Sequence, residues 1–323
     1  LVSSLNRTLS KKAGISLAGP AVALGLGLTA THTLVPPTPG PIAAAGILSA
    51  DLGMVLLVGV PVSALATFVG IIYATKFAAK TYIEPQLTTP SENNKPIEHA
   101  PGVVKSSIPI LAPIILIVLK SVLSATAGDL DTPFYSTVNF LGEPVIALFI
   151  GCVLSLILPK KLSKNMLSAQ GWVGSALKDA ASIILITGAG GIFGKVLQNS
   201  GIASTLGAAL ADTNLSIWLP FLLAAAIKTA QGSSTVALIT TASIIMPMMG
   251  SLGFDSELEK AMVVVAIGAG SAVVSHANDS FFWVVTQMSD MTVKTGYKLY
   301  TTGTFVLGFS AALFLYLGYL IFA

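Results

Sequence analysis

A long apolar run without charge is the feature that most limits how this chain can fold. Residues 53–75 read GMVLLVGVPVSALATFVGIIYAT and contain no charged side chain. A helix needs about 20 mainly apolar residues to cross a bilayer, so this run predicts a membrane-spanning helix. Three further, mainly apolar runs meet the same criterion, at 106–125, 141–159 and 301–323.

The composition supports a membrane protein and argues against several other classes. Only 10% of the 323 residues are charged and the mean hydropathy is +0.84, whereas soluble domains carry about 25% charged residues. The net charge of +3 and the single arginine, Arg7, give no basic patch for nucleic acid. Three histidines and one cysteine, Cys152, are too few for a structural zinc site. We expect no metal, no cofactor and no nucleic-acid partner.

Four other apolar stretches are interrupted by glycine, proline or polar residues, at 13–35, 174–197, 214–249 and 260–289. Such interruptions are tolerated at membrane depth only where the backbone faces protein or a wet cavity. Broken helices of this kind are also the best sequence indication of a transporter's binding site. We therefore expect an all-α, polytopic helical bundle with re-entrant hairpins and broken helices.

A polar segment divides the chain. Residues 76–104 have the composition of a flexible loop and carry lysines, as does the short connection 160–164, whereas the connection 126–140 has none. The positive-inside rule therefore places 76–104 in the cytoplasm. We predict the remainder of a first repeat half at 1–75, a cytoplasmic linker at 76–104, and a second repeat half with connecting transmembrane helices at 105–323.

Two distant segments resemble each other. ALGLGLTATHT at 23–33 and AIGAGSAVVSHAN at 266–278 are both small-residue runs that end in a hydroxyl residue and a histidine. The charges that precede them are basic in the first case and acidic in the second, as inverted-topology repeats would have. The alternative is a chance likeness of two small-residue helices.

The motif QGSSTVA, at 231–237, follows an apolar stretch. Gly232 can break a helix and Ser233 or Ser234 can cap the next one. A helix that begins there directs free N–H groups and a positive dipole end towards an anion such as a carboxylate. Lys228 adds an intramembrane charge that needs a partner or a function. The alternative is a serine-capped kink without a ligand.

The motif SHANDSFFW, at 275–283, places polar groups among apolar ones. His276 changes charge near neutral pH, and burial of Asp279 would favour its neutral form, so either can carry a coupled proton. Asn278 can donate and accept hydrogen bonds. The alternative is a polar network that only bridges a broken helix.

The motif THTLVPPTPGP has four prolines in the six positions 36–41. No helix continues through it, so we expect an extended segment or a tight hairpin, either a re-entrant turn near the site or a surface loop. Asp51 is placed to cap the helix that begins near 53. The GAGG run at 188–191 predicts close helix packing or a hairpin.

Four motifs in this order closely resemble the gluconate permease family, which are gluconate:proton symporters of bacterial inner membranes: PPTPGPIAAAGILSADLG, GGIFGKVLQNSGI, QGSSTVA and SHANDSFFW. The resemblance covers essentially the whole chain. It implies uptake of gluconate, a related sugar acid or, in some members, D-serine. It also implies inverted repeats around a midplane site, a homodimer, and further membrane segments upstream of the proline motif.

This chain departs from the family pattern in three motifs. Thr38 replaces the histidine of PPHPGP, Ser280 and Phe281 replace the Pro-Gly that normally follows Asp279, and Lys228 stands where arginine is common. Lysine is a point charge rather than a bidentate fork, so substrate geometry can differ. These departures weaken the case for gluconate in particular.

We therefore predict a proton-coupled transporter for gluconate or another small hydroxylated carboxylate, multi-pass in the bacterial inner membrane. The expected substrate-binding residues are Lys228, Gln231, Gly232, Ser233, Ser234, Thr235, His276, Asn278, Asp279, Pro37, Thr38 and Gly40. The proton-coupling candidates are His276, Asp279 and His32. The rivals are a D-serine or other organic-anion symporter, a channel or ion exchanger, and an intramembrane enzyme that uses His276 and Asp279.

Overall fold

The computed structural model describes residues 2–85, 102–127, 133–159, 162–200 and 215–322. Within these ranges all regular structure is helical, which confirms the expected all-α class. The helices are α1 (Val2–Ala13), α2 (Ala18–Leu34), α3 (Pro39–Leu48), α4 (Leu52–Lys76), α5 (Val103–Ala127), α6 (Pro133–Leu141), α7 (Pro144–Ser155), α8 (Trp172–Asn199), α9 (Trp218–Gln231), α10 (Ser234–Ile245), α11 (Glu257–Ala272), α12 (Ser280–Met288), α13 (Val293–Gly296) and α14 (Thr302–Phe322). A π-helical turn, Tyr297–Thr301, joins α13 to α14.

Several helical stretches are long enough to cross a bilayer. In the described ranges, four pass the requirement of length and apolar composition, namely Ala18–Leu48, Leu52–Lys80, Val103–Lys120 and Val293–Phe322. A fifth results if α6 and α7, which meet at a bend of 68°, form one broken span. These stretches confirm the expected multi-pass helical membrane protein.

Helix α11 lies at the centre of the helix packing. Every residue from Ala261 to Ala272 is buried, and α11 contacts α2, α4, α9, α10 and α14. Side chains at Gly268 and Gly270 would collide with the backbone carbonyls of Thr33 and Phe221. Small residues therefore let the neighbouring backbones approach closely, as is typical of helix contacts in membranes.

Both expected helix breaks are present. Between α9 and α10, Gly232 adopts φ 91°, a left-handed conformation that glycine tolerates, and the Ser233 side chain accepts from the N–H of Val236 at 3.3 Å. Between α11 and α12, the Asp279 side chain caps α12 by accepting from the N–H of Phe281 at 2.9 Å. Each break therefore supplies a capped helix start.

Two predicted boundaries were wrong in the middle of the chain. Residues 141–159 do not form one straight span, because α6 ends at Leu141 and the chain turns before α7 begins at Pro144. Proline has no N–H and its ring blocks continuation of the preceding helix, but it fits a first helical position. The connection predicted at 126–140 is partly helical, since α6 lies within it.

Two predicted interruptions also need correction. The hairpin reading of GAGG was wrong, because α8 continues without a break through 188–191. Glycine costs only about 1 kcal/mol relative to alanine inside a helix, and an apolar environment favours unbroken helical hydrogen bonds. The proline motif does end α2, as expected, but α3 already begins at Pro39, so the non-helical segment is only 35–38.

Other local predictions have mixed outcomes. Asp51 caps α4 as expected, because its carboxylate accepts from the N–H of Met54 at 2.8 Å. Most of the 76–104 linker, residues 86–101, lies outside the described ranges. The division into repeat halves and the inverted relation of the two small-residue runs stay predictions.

Candidate functional site

A cavity of about 380 Å³ lies where the two helix breaks meet α2. Its lining is rich in hydroxyl groups, which come from Thr29, Ser233, Ser234, Thr235, Ser275 and Ser280. Three ionisable side chains also line it, namely His32, Lys228 and Asp279, together with the apolar residues Leu28, Ala272 and Phe281.

The charged centre of this cavity is a buried ion pair. The Lys228 ammonium lies 2.7 Å from Asp279 Oδ2, and the two side chains are 1% and 10% exposed. Lys228 also donates to the backbone carbonyl of Gly232. An ammonium has three donors, and these are its two acceptors among the described residues. One N–H of Lys228, which lines the cavity, thus has no acceptor among the described residues.

Asp279 is held by three donors. Its Oδ2 accepts from Lys228 and from the Ser275 hydroxyl, the latter at 2.6 Å, and its Oδ1 accepts from the backbone N–H of Phe281. Ser275 is itself fixed, because its N–H donates to Thr304 Oγ1 at 3.1 Å. The carboxylate therefore has a defined position at the start of α12.

The start of α10 forms the second anion-attracting element. The N–H of Ser233 donates to Gln231 Oε1 at 2.9 Å, but within the described ranges the N–H groups of Ser234 and Thr235 have no acceptor. Helix N-termini leave such donors free and carry partial positive charge. Because both residues line the cavity, this helix start can bind a carboxylate there.

Helix α2 supplies the facing wall. Thr29 Oγ1 lies 2.9 Å from the hydroxyl of Tyr300, which fixes α2 to the π-helical turn. His32, nearly one turn further along α2, also lines the cavity. In the parts of the chain that the structure describes, no group of three or more His, Cys, Asp or Glu could hold a metal ion.

The structure brings only part of the predicted site together in this cavity. The predicted residues that line it are His32, Lys228, Ser233, Ser234, Thr235 and Asp279. The predicted residues outside its lining are Pro37, Thr38, Gly40, Gln231, Gly232, His276 and Asn278.

His276 and Asn278 bind the end of α9 instead. His276 Nε2 lies 3.0 Å from the carbonyl oxygen of Thr229, and Asn278 Nδ2 donates to the same oxygen at 2.9 Å. A side chain on Gly232 would collide with the backbone of Asn278. The segment between α9 and α10 is therefore in close contact with the segment between α11 and α12. This geometry is the polar bridge that the sequence left as an alternative, and binding by His276 and Asn278 stays a prediction.

The remaining predicted residues have local contacts. Gln231 Nε2 donates to the carbonyl of Ser233 at 2.6 Å and so stabilises the break. Thr38 Oγ1 donates to the carbonyl of Val35 at 2.7 Å, Pro37 is exposed, and Gly40 packs against Leu238 of α10. Pro37, Thr38 and Gly40 therefore do not line this cavity, and their role in substrate binding stays a prediction.

Sequence reasoning missed the role of two lining residues. Thr29 was not singled out, although it precedes His32 by three positions and so shares its helix face. Ser275 was noted only for its likeness to Thr31, whereas the structure places its hydroxyl on Asp279. Ser275 belongs to the same motif as Asp279 and precedes it by four positions, so the motif already contained this hydroxyl partner.

Comparison with known proteins identifies relatives over nearly the whole chain. The model of the GntP family permease matches residues 1–321. The chain is 34% identical over 303 residues to the inner membrane permease YgbN of Escherichia coli. This match covers 90% of this chain and 65% of that protein. It is 32% identical over 324 residues to a gluconate permease of Pseudomonas aeruginosa (96% and 69% covered). It is 30% identical over 303 residues to the D-serine transporter DsdX of Escherichia coli (93% and 67%). The chain thus spans about two thirds of the length of these relatives.

Proposed function

Because this chain belongs to the GntP family of permeases, we propose that it carries gluconate or a related hydroxylated carboxylate across the bacterial inner membrane together with protons. The family consists of permeases, which confirms that the chain is not an enzyme. The membrane location is confirmed by the family and by the apolar helices, and the relative YgbN is named an inner membrane permease.

The observation that carries this proposal is the chemistry of the cavity lining. The free N–H groups at the start of α10 and the spare donor of Lys228 suit a carboxylate. Six Ser and Thr residues also line the cavity, and hydroxyl groups both donate and accept hydrogen bonds. A small acid with several hydroxyl groups has both features.

The same lining favours a sugar acid over D-serine. The ammonium group of D-serine would need an acceptor, and Asp279 is the carboxylate among the lining residues. Its two oxygens already accept from Lys228, Ser275 and Phe281, which leaves about one of its four acceptor sites for an ammonium. A hydroxylated carboxylate without an amine needs no such acceptor. Gluconate is therefore the first substrate to test, and D-serine is the compound to compare with it.

The experiment is a competition panel in proteoliposomes that contain the full-length protein. Labelled gluconate is taken up in response to an imposed pH gradient, and unlabelled gluconate, other sugar acids and D-serine compete. We expect saturable uptake, with competition by sugar acids stronger than by D-serine. Saturable counterflow would also exclude a channel. Failure of every carboxylate in the panel to enter would overturn the proposal.

A matched pair of variants tests the cavity itself. Thr235→Val removes a lining hydroxyl while conserving shape, and Thr241→Val makes the same change on α10 outside the lining. A hydrogen bond contributes about 0.5–1.5 kcal/mol, so T235V should weaken gluconate binding by about 2- to 10-fold. T241V should leave binding unchanged. Equal effects of the two variants would place the substrate elsewhere.

The homodimer implied by the resemblance stays a prediction.

A further inference from the structure

We infer that Asp279 is the group that carries the coupled proton, because a bound substrate would place two carboxylates beside the single ammonium of Lys228. This inference rests on the proposed function, since it assumes that the substrate carboxylate enters the cavity that Lys228 and Asp279 line. It selects one residue from the three candidates that the sequence left open.

The first step of the argument is a count of charges. In the structure the ammonium of Lys228 and the carboxylate of Asp279 form a buried pair with zero net charge. A substrate carboxylate adds one negative charge to this shielded site. An uncompensated buried charge is strongly unfavourable. A proton from water that binds Asp279 restores zero net charge, so the loaded site has one ammonium, one substrate carboxylate and one neutral carboxylic acid.

The second step is the hydrogen-bond geometry. Oδ2 of Asp279 accepts from Lys228 and from the Ser275 hydroxyl. When Oδ2 gains a proton it becomes a donor, and Ser275 can change from donor to acceptor because a hydroxyl does both. Oδ1 keeps the N–H of Phe281, so the cap of α12 persists. Lys228 keeps the carbonyl of Gly232 and offers the substrate the N–H that has no acceptor among the described residues.

The third step concerns the other titratable groups around Asp279. His32 faces the cavity from α2 and Lys228 from α9, while Tyr300 of the π-helical turn bonds Thr29. His276, on the same segment, is held at the carbonyl of Thr229 and does not line the cavity. A charge on His32 is repelled by Lys228 and attracted by Asp279. Of these titratable side chains, only Asp279 contacts the ammonium that the substrate would use.

The test measures proton uptake when gluconate binds. Purified full-length protein in weakly buffered detergent solution is mixed with gluconate, and a pH indicator reports protons taken up per gluconate bound. We expect one proton per gluconate for the wild type. Linkage then requires the Kd to rise about tenfold per pH unit where the empty site is unprotonated. Asp279→Asn should bind gluconate without proton uptake and with a Kd independent of pH.

A matched variant and a second substitution make the outcome decisive. Glu143→Gln makes the same chemical change in another Lys–carboxylate pair, in which Lys120 lies 2.6 Å from Glu143, and should keep the proton uptake. Asn and Ser both cap helices, so Asp279→Ser replaces Asp279→Asn if the latter fails to fold. Asp279→Glu should restore proton uptake.

The results separate this inference from the proposed function. If the wild type binds no carboxylate of the competition panel, the proposed function fails. If the wild type takes up a proton and Asp279→Asn does so equally, the proposed function stands and the inference is overturned. Loss of uptake in His32→Gln or His276→Gln, with Asp279→Asn normal, would overturn it in the same way.

Discussion

Lys228→Met should strongly lower the free energy of unfolding, although both side chains are long and unbranched. The lysine is 1% exposed and its partner carboxylate on Asp279 is 10% exposed, so water cannot replace the lost ammonium. Removing one member of a buried ion pair typically costs about 3–5 kcal/mol, because the other charge stays buried without a partner. The carbonyl of Gly232 also loses a donor, which adds about 1 kcal/mol.

The double variant distinguishes an orphaned charge from a simple loss of contacts. In Lys228→Met/Asp279→Asn neither charge remains, and the lost hydrogen bonds cost about 1–2 kcal/mol. The double variant should therefore be more stable than Lys228→Met alone, by about 3 kcal/mol. Denaturant unfolding in detergent, followed by tryptophan fluorescence, gives the free energies of unfolding.

An exposed pair in the same chain is the control. Lys260 lies 2.8 Å from Glu257, with side chains 25% and 55% exposed, and pairs of this kind contribute about 0.3–0.5 kcal/mol. Lys260→Met should thus have almost no effect on the free energy of unfolding. The reasoning is refuted if Lys228→Met and Lys260→Met have similar effects, or if the double variant is less stable than Lys228→Met.

Three further predictions concern the capped breaks. Ser233→Asp keeps an N-cap residue but puts a carboxylate at the cavity, so thermal stability should persist while gluconate affinity, measured by equilibrium binding, falls at least tenfold. Gly232→Ala should lower the free energy of unfolding by more than about 2 kcal/mol, because φ is 91° and a Cβ meets Asn278; Gly46→Ala, in open space on α3, should be neutral or stabilising by up to about 1 kcal/mol. Asp51→Ala should remove the cap of α4 and cost about 1 kcal/mol in the same unfolding measurement.

Local chemistry explains which parts of the site were predictable. Glycine before two serines predicted the α9–α10 break, and Gly232 and Ser233 act as expected. Asp279 was predicted as a site residue and Lys228 as an intramembrane charge in need of a partner, and each is the other's partner. Signals of this kind lie within a few residues of the feature that they specify, so they can be read without the fold.

The errors arose where local signals compete with packing. Four residues of GAGG suggested an interruption, but α8 keeps its helical hydrogen bonds. The proline motif suggested an extended segment or hairpin over its whole length, but α3 begins at Pro39 and packs Gly40 against α10. His276 lies at the carbonyl of Thr229 and outside the cavity lining, and its role in substrate binding stays a prediction. The contacts of Gly40 and His276 are set by a neighbouring helix, which local sequence signals do not specify.

The sequence by itself determined an all-helical membrane protein, its two broken helices and the residues that cap them, because span length, helix breaking and capping depend on neighbours in the chain. Only the tertiary structure decided which polar groups share the cavity. Lys228 meets Asp279 across 51 positions, and Thr29 meets Tyr300 across 271. Such meetings depend on how α2, α9 and α14 pack around α11, and spacing along one chain does not encode that packing.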